Sequence, residues 1–231
     1  RPREDAGATG DSAGGATLQE LISATPACGL YPETFFIAWS GVPVLAFDGW
    51  TPPLAALKKA IHEKLGGDAP GENHGSMWPK CTLGCLRDGV RLTPAELERL
   101  KALCRASAAE GIKRQRPVID RGVEFPGASV VLFSCRSLER VAFEQQVSFS
   151  SRSSDFSAPV SGERAGVQRV VGEWDDLESY WVKAAADGGR ESHYRGTARG
   201  ATLVLRLEED APVVSAIRRF RRTVDAALPG K

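Results

Sequence analysis

The sequence predicts an α+β fold with a single mixed or antiparallel sheet and helices mainly on one face. Segments with helical spacing alternate along the chain with short β-rich segments, and 42% of the 231 residues are hydrophobic, enough for one core. The formal net charge is +1, which excludes a protein that binds nucleic acid through bulk charge. No apolar run approaches the ~20 residues that a transmembrane helix requires, so we expect no membrane span.

Two segments are expected to lie outside the regular elements. Residues 1–28 are rich in Gly, Ala, Ser and Asp and predict a flexible N-terminal tail with one helical turn around Leu18, Leu21 and Ile22. A single α+β domain is expected over residues 29–231. Within it, the Ser-rich, weakly hydrophobic residues 150–166 predict a surface loop.

Cysteine usage indicates the compartment. The chain has five cysteines, an odd and sparse number that favours reduced thiols over a secreted disulfide framework. We therefore expect an intracellular protein, in the cytosol or inside an organelle after removal of an N-terminal segment. Whether Arg1 is such a processed terminus stays open, as do the exact compartment and the oligomeric state.

The first half of the domain contains three strand candidates and two helices. Residues 34–40 and 42–47 are aromatic and β-rich, and residues 78–86 form the third extended segment. Between them, Leu54, Leu57 and Ile61 have helical spacing after a Thr-Pro-Pro start. Thr93 and Glu96 form a capping box for a helix whose buried stripe is expected at Leu97, Leu100, Leu103 and Cys104.

The second half continues the alternation. Residues 117–125 and 129–135 are expected to form a strand pair joined by Pro126 and Gly127, followed by a strand over residues 141–149. A short helix is expected over residues 175–186 and a strand over residues 200–207. A final helix after Asp210 has the apolar stripe Val213, Ile217, Phe220, Val224 and Leu228.

Common catalytic and metal motifs are absent from the sequence. There is no phosphate-binding glycine loop, zinc-protease helix or serine-hydrolase elbow. Cys81 and Cys85 are four residues apart on a strand candidate, which separates their Cα atoms by roughly 13 Å. Two thiolates on one zinc ion need a much closer approach. We therefore expect core thiols, no metal site and no cofactor.

Two strand candidates carry the same short pattern. Residues 80–83 are Lys-Cys-Thr-Leu and residues 200–203 are Gly-Ala-Thr-Leu. In the first, Cys81, Leu83 and Cys85 are expected on the core face, with Lys80 and Thr82 opposite. In the second, Ala201, Leu203 and Leu205 are expected on the core face, with Thr202 opposite.

These patterns, and the order of elements between residues 33 and 149, resemble the two-histidine phosphoesterase superfamily, the RNA-ligase-like and cyclic-phosphodiesterase group. The resemblance implies two pseudo-symmetric halves, each carrying a His-x-Thr/Ser-apolar tetrad on a strand that lines one cleft. In that family the histidines serve as general base and general acid. Here Lys80 and Gly200 stand at those positions. The resemblance therefore implies a degenerate cleft in which Lys80, Thr82 and Thr202 bind an anion without catalysis.

The function predicted from the sequence is a non-catalytic domain that binds an anion, a nucleotide or an RNA end. One alternative is an active phosphodiesterase-like hydrolase acting on a phosphorylated small molecule or RNA, with His193 as the catalytic acid/base beside Lys80 and Arg195, and Arg199 as a further anion ligand. The other is a structural or interaction subunit of a larger complex. Its protein partner would dock on the basic patch of the last helix, Arg218, Arg219, Arg221 and Arg222.

Overall fold

The computed structural model describes residues 17–38, 41–65, 77–112, 122–179 and 190–230. The strands are β1 (Pro26–Leu30), β2 (Pro32–Ala38), β3 (Val42–Phe47), β4 (Lys80–Thr82), β5 (Val123–Phe125), β6 (Gly127–Phe133), β7 (Val141–Ser148), β8 (Ser150–Asp155) and β9 (Gly200–Val204). The helices are α1 (Leu18–Ala24), α2 (Pro52–Leu65), α3 (Pro94–Gly111), α4 (Ser161–Gly172), α5 (Glu191–Arg195) and α6 (Pro212–Ala227), with a 3₁₀ turn at Glu173–Asp175. The predicted α+β class is confirmed.

The described strands form three small sheets, so the expectation of a single sheet is wrong. Sheet I has the order β5-β1-β8, sheet II the order β2-β3-β4, and sheet III the order β7-β6-β9. Sheets II and III are entirely antiparallel, whereas β1 pairs antiparallel with β5 and parallel with β8. Strands that follow one another along the chain, such as β1 and β2 or β5 and β6, belong to different sheets and so do not form one continuous ladder.

The folded part of the chain begins earlier than predicted, because residues 17–28 form α1 and part of β1. Thr17 and Glu20 make a reciprocal capping box, and Ile22 of α1 is fully buried. Cys28 of β1 pairs with β5 and is also fully buried. The predicted helical turn around Leu18, Leu21 and Ile22 is confirmed as part of α1. The flexible tail is wrong over the rest of residues 17–28, and residues 1–16 lie outside the described residues.

The predicted strand pair around Pro126 is wrong in its pairing. β5 joins β1 in sheet I, and β6 joins β7 and β9 in sheet III. Phe125 lies opposite Cys28, while Gly127 lies opposite Ser148. Pro126 is thus the point where the chain passes from one sheet to the next, and residues 117–121 of the predicted first strand lie outside the described residues.

The predicted surface loop at residues 150–166 is wrong because regular structure occupies most of it. β8 pairs with β1 through backbone groups, so its side chains at residues 151–154 stay exposed and need no apolar pattern. α4 begins at Ser161 and buries Val167 as its only fully buried residue. Hydrophobicity alone therefore gave no signal for either element.

The main core is built around sheet II. Phe35 and Phe36 are adjacent on β2 and point to opposite faces, and both are buried. Phe35 stacks on Phe220 of α6 with ring centroids 4.2 Å apart, and Phe36 contacts Trp78 and Trp174 at 5.6 Å each. Side chains therefore pack against both faces of sheet II, and β4 forms one edge of this packed sheet.

The two longest predicted helices are confirmed. Thr93 caps α3 in the expected box with Glu96, and Leu97, Leu100 and Cys104 are buried. On α6, the buried residues are Val213, Ala216, Ile217 and Phe220, and the N-cap is Ala211 rather than Asp210. Among the described residues, no helix has both the length and the apolar character needed to cross a membrane.

Candidate functional site

The first tetrad lies on β4, the edge strand of sheet II. Lys80 and Thr82 share one face; Thr82 is exposed and Lys80 is half-buried, with its Nζ 4.4 Å from the centroid of the Trp78 ring. On the other face Cys81, Leu83 and Cys85 are half-buried, as the alternation predicted. The backbone pairing continues past the strand, because Leu83 N–H donates to the Pro43 carbonyl at 2.9 Å.

The second tetrad lies on β9, an edge strand of sheet III. Thr202 lies opposite Val131, is half-buried, and donates its hydroxyl to the Leu203 carbonyl at 3.5 Å. Leu203 packs against the core as predicted. Ala201 is exposed, so its predicted burial is wrong, because the core does not extend to that end of the strand. Both tetrads therefore lie on edge strands of three-stranded antiparallel sheets, but β4 pairs with the second strand of its hairpin and β9 with the first strand of the other.

An aromatic ring fills the place beside Gly200. Phe133 lies directly opposite Gly200 across β6 and β9. A Cβ atom added to Gly200 would lie 2.7 Å from the Cζ atom of Phe133, closer than carbon atoms approach in proteins. The ring of Phe133 therefore occupies the space that a side chain at position 200 would need.

The polar groups beside Thr202 are already paired. Glu144 and Thr202 lie on either side of Val131 in the same row of sheet III. The guanidinium of Arg206 donates to both carboxylate oxygens of Glu144, at 2.9 and 2.5 Å. Hydrogen bonds from Arg206 first, and from Ser129, hold the pKa of Glu144 below its ordinary value. Beside Thr202, the positive charge of Arg206 is therefore already paired with the carboxylate of Glu144.

Tyr194 of α5 covers the Thr82 side of β4. Burial raises the pKa of Tyr194, while a hydrogen bond with the Thr82 side chain and the charges of Arg190 and Arg136 act in the opposite direction. The Tyr194 and Thr82 hydroxyls are therefore bonded on the face of β4 that carries Lys80, and the positive charges of Arg190 and Arg136 act on Tyr194. This arrangement offers hydrogen-bond donors and positive charge to an anion.

The other residues predicted on this segment are placed differently. His193 is exposed, with its ring edge-on to Tyr194 at 5.1 Å. Arg195 is ion-paired with Glu139 at 3.2 Å and with Glu191 at 3.1 Å. Arg199 is exposed just before β9. In this segment Tyr194 therefore contacts Thr82, whereas the guanidinium of Arg195 is ion-paired with two carboxylates.

Polar contacts on both sides hold α5 in place. Asp88, which follows β4, accepts the backbone N–H of Ser192 with both carboxylate oxygens at 3.1 Å. From the turn after β6, Arg140 donates to the Arg195 carbonyl at 2.8 Å. Ser137 N–H donates to the Tyr194 carbonyl at 2.9 Å. The short helix therefore links the segment after β4 to the turn after β6.

The sequence reasoning did not identify Tyr194 as the partner of Thr82, or Arg190 and Arg136 as charges that act on Tyr194. Tyr194 and Arg190 lie in a segment that concentrates aromatic and charged residues, Arg-Glu-Ser-His-Tyr-Arg, so the segment itself carried a signal. Arg136 belongs to the turn between β6 and β7, and no local pattern connects that turn to β4. Only the tertiary structure places it near Tyr194.

The predicted basic patch on α6 is divided. Arg218 is ion-paired with Glu209, and Arg221 lines a cavity between α6 and the segment after β4. Arg219 and Arg222 are exposed. The four arginines therefore do not present one uniform basic face.

Two further observations complete the description of the site. All five cysteines are free, and the described parts of the chain hold no group of three or more metal-ligating side chains. No family model matches the chain, and no curated protein or solved structure gives a significant match.

Proposed function

We propose that this chain is a non-catalytic binding domain for a phosphate-bearing ligand, a nucleotide or an RNA end, with its site beside β4. The observation that carries the proposal is the hydrogen bond between the Tyr194 and Thr82 side chains on the Lys80 face of β4, together with the charges of Arg190 and Arg136 that act on Tyr194. Lys80 extends from the same strand face as Thr82. Hydroxyl donors combined with cations suit phosphate oxygens better than neutral ligands.

The absence of catalysis is supported by both tetrad positions. Lysine at position 80 normally stays charged at neutral pH and is a poor general base unless it is desolvated. Glycine at position 200 has no side chain, and the ring of Phe133 occupies the adjacent space. Binding is therefore expected to persist where acid/base chemistry is lost.

The test uses a short RNA ending in a 2′,3′-cyclic phosphate, titrated against tryptophan fluorescence, with hydrolysis followed in the same sample. We expect binding without turnover. Lys80→Gln should weaken binding by about tenfold, because it removes a charge-assisted contact. Tyr194→Phe and Thr82→Val should weaken it less. Lys59→Gln is the matched control, because Lys59 is an exposed lysine on α2 paired with Glu63.

Three outcomes decide between the proposed roles. Binding that is insensitive to Lys80→Gln would contradict the site. Turnover that disappears in His193→Ala would establish the alternative, an active phosphoesterase. If substitution of Arg219 and Arg222 weakens RNA binding and Lys80→Gln does not, the binding surface lies on α6.

One observation favours the alternative role as an interaction subunit. Leu132 and Phe143 lie directly opposite each other on sheet III and are 44% and 49% exposed, with Val141 at 40% on the same strand as Phe143. Exposed apolar groups that adjoin in this way are typical of protein contacts. Sedimentation of the native chain and of Phe143→Ser tests for self-association. Phe143→Ser should leave RNA binding unchanged if the two roles are separate.

A further inference from the structure

The outer edge of β7 is open in sheet III. β7 is an edge strand of this sheet, and β6 is the one described strand with which it pairs. Within the described parts of the chain, no other segment exchanges a backbone hydrogen bond with residues 141–148. The side chains of residues 141–146 are all exposed. An edge of this kind presents a row of backbone donors and acceptors to a further strand.

β7 has little of the protection that edge strands usually have against such pairing. Lysines, prolines and bulges are the common protective features. The sequence of β7, Val-Ala-Phe-Glu-Gln-Gln-Val-Ser, contains no lysine or proline, and its one charged group, Glu144, is already bonded to Arg206. The register with β6 skips Ala142, which forms a bulge at the start of the strand. Residues 143–148 therefore form a regular, unprotected edge.

Exposed apolar side chains are concentrated beside this edge. Five large hydrophobic side chains are exposed in the described part of the chain, and three of them, Leu132, Val141 and Phe143, belong to sheet III. Phe143 lies on β7 itself, directly opposite Leu132 of β6. Adjoining exposed apolar groups are typical of protein contacts. The open edge therefore combines free backbone groups with apolar surface, as an interface requires.

The sequence of β7 is complementary to itself in one antiparallel register. A twofold axis between two copies of a strand sets one residue opposite its own copy. With Gln145 at the axis, Phe143 lies opposite Val147 of the second copy, and both are apolar. In the same register Glu144 lies opposite Gln146, so a carboxylate meets an amide. With Glu144 at the axis, two carboxylates would be opposed, which destabilises strand pairing.

We propose that two copies of this chain pair antiparallel through β7, with Gln145 at the twofold axis. The pairing joins both copies of sheet III into one six-stranded sheet with the order β9-β6-β7-β7-β6-β9. Phe143 of each copy leaves the solvent by packing beside Val147 of the other. This dimer rests on the interaction role given above as the alternative function. It does not depend on the phosphate site, because β4 belongs to sheet II.

Sedimentation equilibrium of the full chain measures the dimer, at concentrations from about 1 to 200 µM. Phe143→Ser should weaken dimerisation by at least about tenfold, because it removes the apolar contact with Val147 on both sides of the axis. Met77→Ser is the matched control. It changes an exposed apolar side chain that lies outside sheet III, so the dimerisation constant should stay within about twofold of the native value.

Charge substitutions test the register. Gln145→Lys and Gln145→Glu should each weaken dimerisation by at least about tenfold, because like charges then face each other at the axis. An equal mixture of these two variants should form a heterodimer, because the opposed charges are then of opposite sign. Gln146→Lys should strengthen dimerisation by about threefold, because the lysine faces Glu144 of the second copy. Gln145 and Gln146 are exposed, so these changes leave the core intact.

Two results would overturn the inference. A native chain that stays monomeric over the whole concentration range would exclude the dimer. A mixture of the Gln145 variants that stays monomeric, or equal weakening by Gln145→Lys and Gln146→Lys, would exclude the register centred on Gln145. If Phe143→Ser does not fold, the mixture still decides the point. RNA titration of the same samples keeps the two proposals apart, because the Gln145 variants should bind RNA as the native chain does.

Discussion

The ammonium group of Lys101 donates to the backbone carbonyl of Trp174 at 2.9 Å, although Lys101 is a lysine on the buried face of α3. Its side chain is only 7% exposed and also lies 3.1 Å from the carboxylate of Asp175. A buried cation is stable only when its hydrogen bonds are satisfied. This contact attaches the 3₁₀ turn to α3 and holds Trp174 against Phe36.

Lys101→Met is expected to lower the free energy of unfolding by about 1–3 kcal/mol, because it leaves a buried carbonyl without its charged donor. Arg105→Met is the matched control. Arg105 contacts the same Asp175 at 3.2 Å from an exposed position, so its loss should change stability by less than about 1 kcal/mol. Urea unfolding of both variants measures the difference, and equal effects would show that burial does not strengthen the Lys101 contact.

Gly200→Ala should destabilise the protein by about 1–3 kcal/mol, because the new methyl group collides with Phe133. In a Phe133→Ala background the same change should cost much less, and a double-mutant cycle measures that coupling. Gly166→Ala on α4 is the control, since nothing lies within 4 Å of its added Cβ. It should stabilise the helix by about 0.5–1 kcal/mol. Additive effects of Gly200→Ala and Phe133→Ala would contradict the packing described.

Asp88→Ala should loosen α5 without unfolding the domain, because it removes the carboxylate that accepts the Ser192 N–H. We expect faster amide hydrogen exchange over residues 191–195 and little change in the free energy of unfolding. Asp176→Ala is the control, since Asp176 makes a similar contact with the Ser179 N–H at 3.1 Å. If Asp176→Ala accelerates exchange in α5 equally, the effect is not local to the Asp88 contact.

Alkaline pH should destabilise the protein through its buried thiols. Burial raises the pKa of Cys28 to about 12 and raises that of Cys104 as well. The folded state therefore keeps both protons while the unfolded chain releases them. The stabilisation is fully present below pH ~9 and is lost as the pH rises through the folded-state values, by up to about 1.4 kcal/mol per pH unit for each thiol.

Urea unfolding at a series of pH values above 9 measures this loss, and Cys104→Ala should reduce its slope. Cys135→Ser is the control, because the hydrogen bond with the Ser137 hydroxyl holds the pKa of Cys135 below its ordinary value. That thiol contributes no loss above pH 9, so the slope should not change. A slope unaffected by Cys104→Ala would contradict the prediction.

Local patterns were sufficient to predict α3 and α6. A capping box and a stripe of period 3.6 are visible without knowing the neighbours of a helix. β8 could not be predicted in this way, because it has the sequence Ser-Ser-Arg-Ser-Ser-Asp and is held mainly by backbone pairing. A strand that buries few side chains leaves no hydrophobic period in the sequence.

The candidate site likewise has one part that local sequence patterns predict and one part that they do not. The shared face of Lys80 and Thr82 follows from strand alternation and could be predicted. The meeting of Tyr194 with Thr82, and of Phe133 with Gly200, joins segments far apart in the chain, and no spacing rule connects them. The sequence therefore indicated β4 and β9 as the strands of the site. The side chains that pack against them, Tyr194 and Phe133, could be identified only from the tertiary structure.

The central position of β1 in sheet I has a consequence for the order of folding. Cys28 pairs with Phe125 on one side and with Asp155 on the other. During synthesis, one edge of this strand therefore stays open until β5 has been made, and the other stays open until β8 has been made. Pairings that span such long stretches of sequence form slowly, and open strand edges invite association with other chains. Nascent chains that stop before residue 155 are expected to be the aggregation-prone species of this protein.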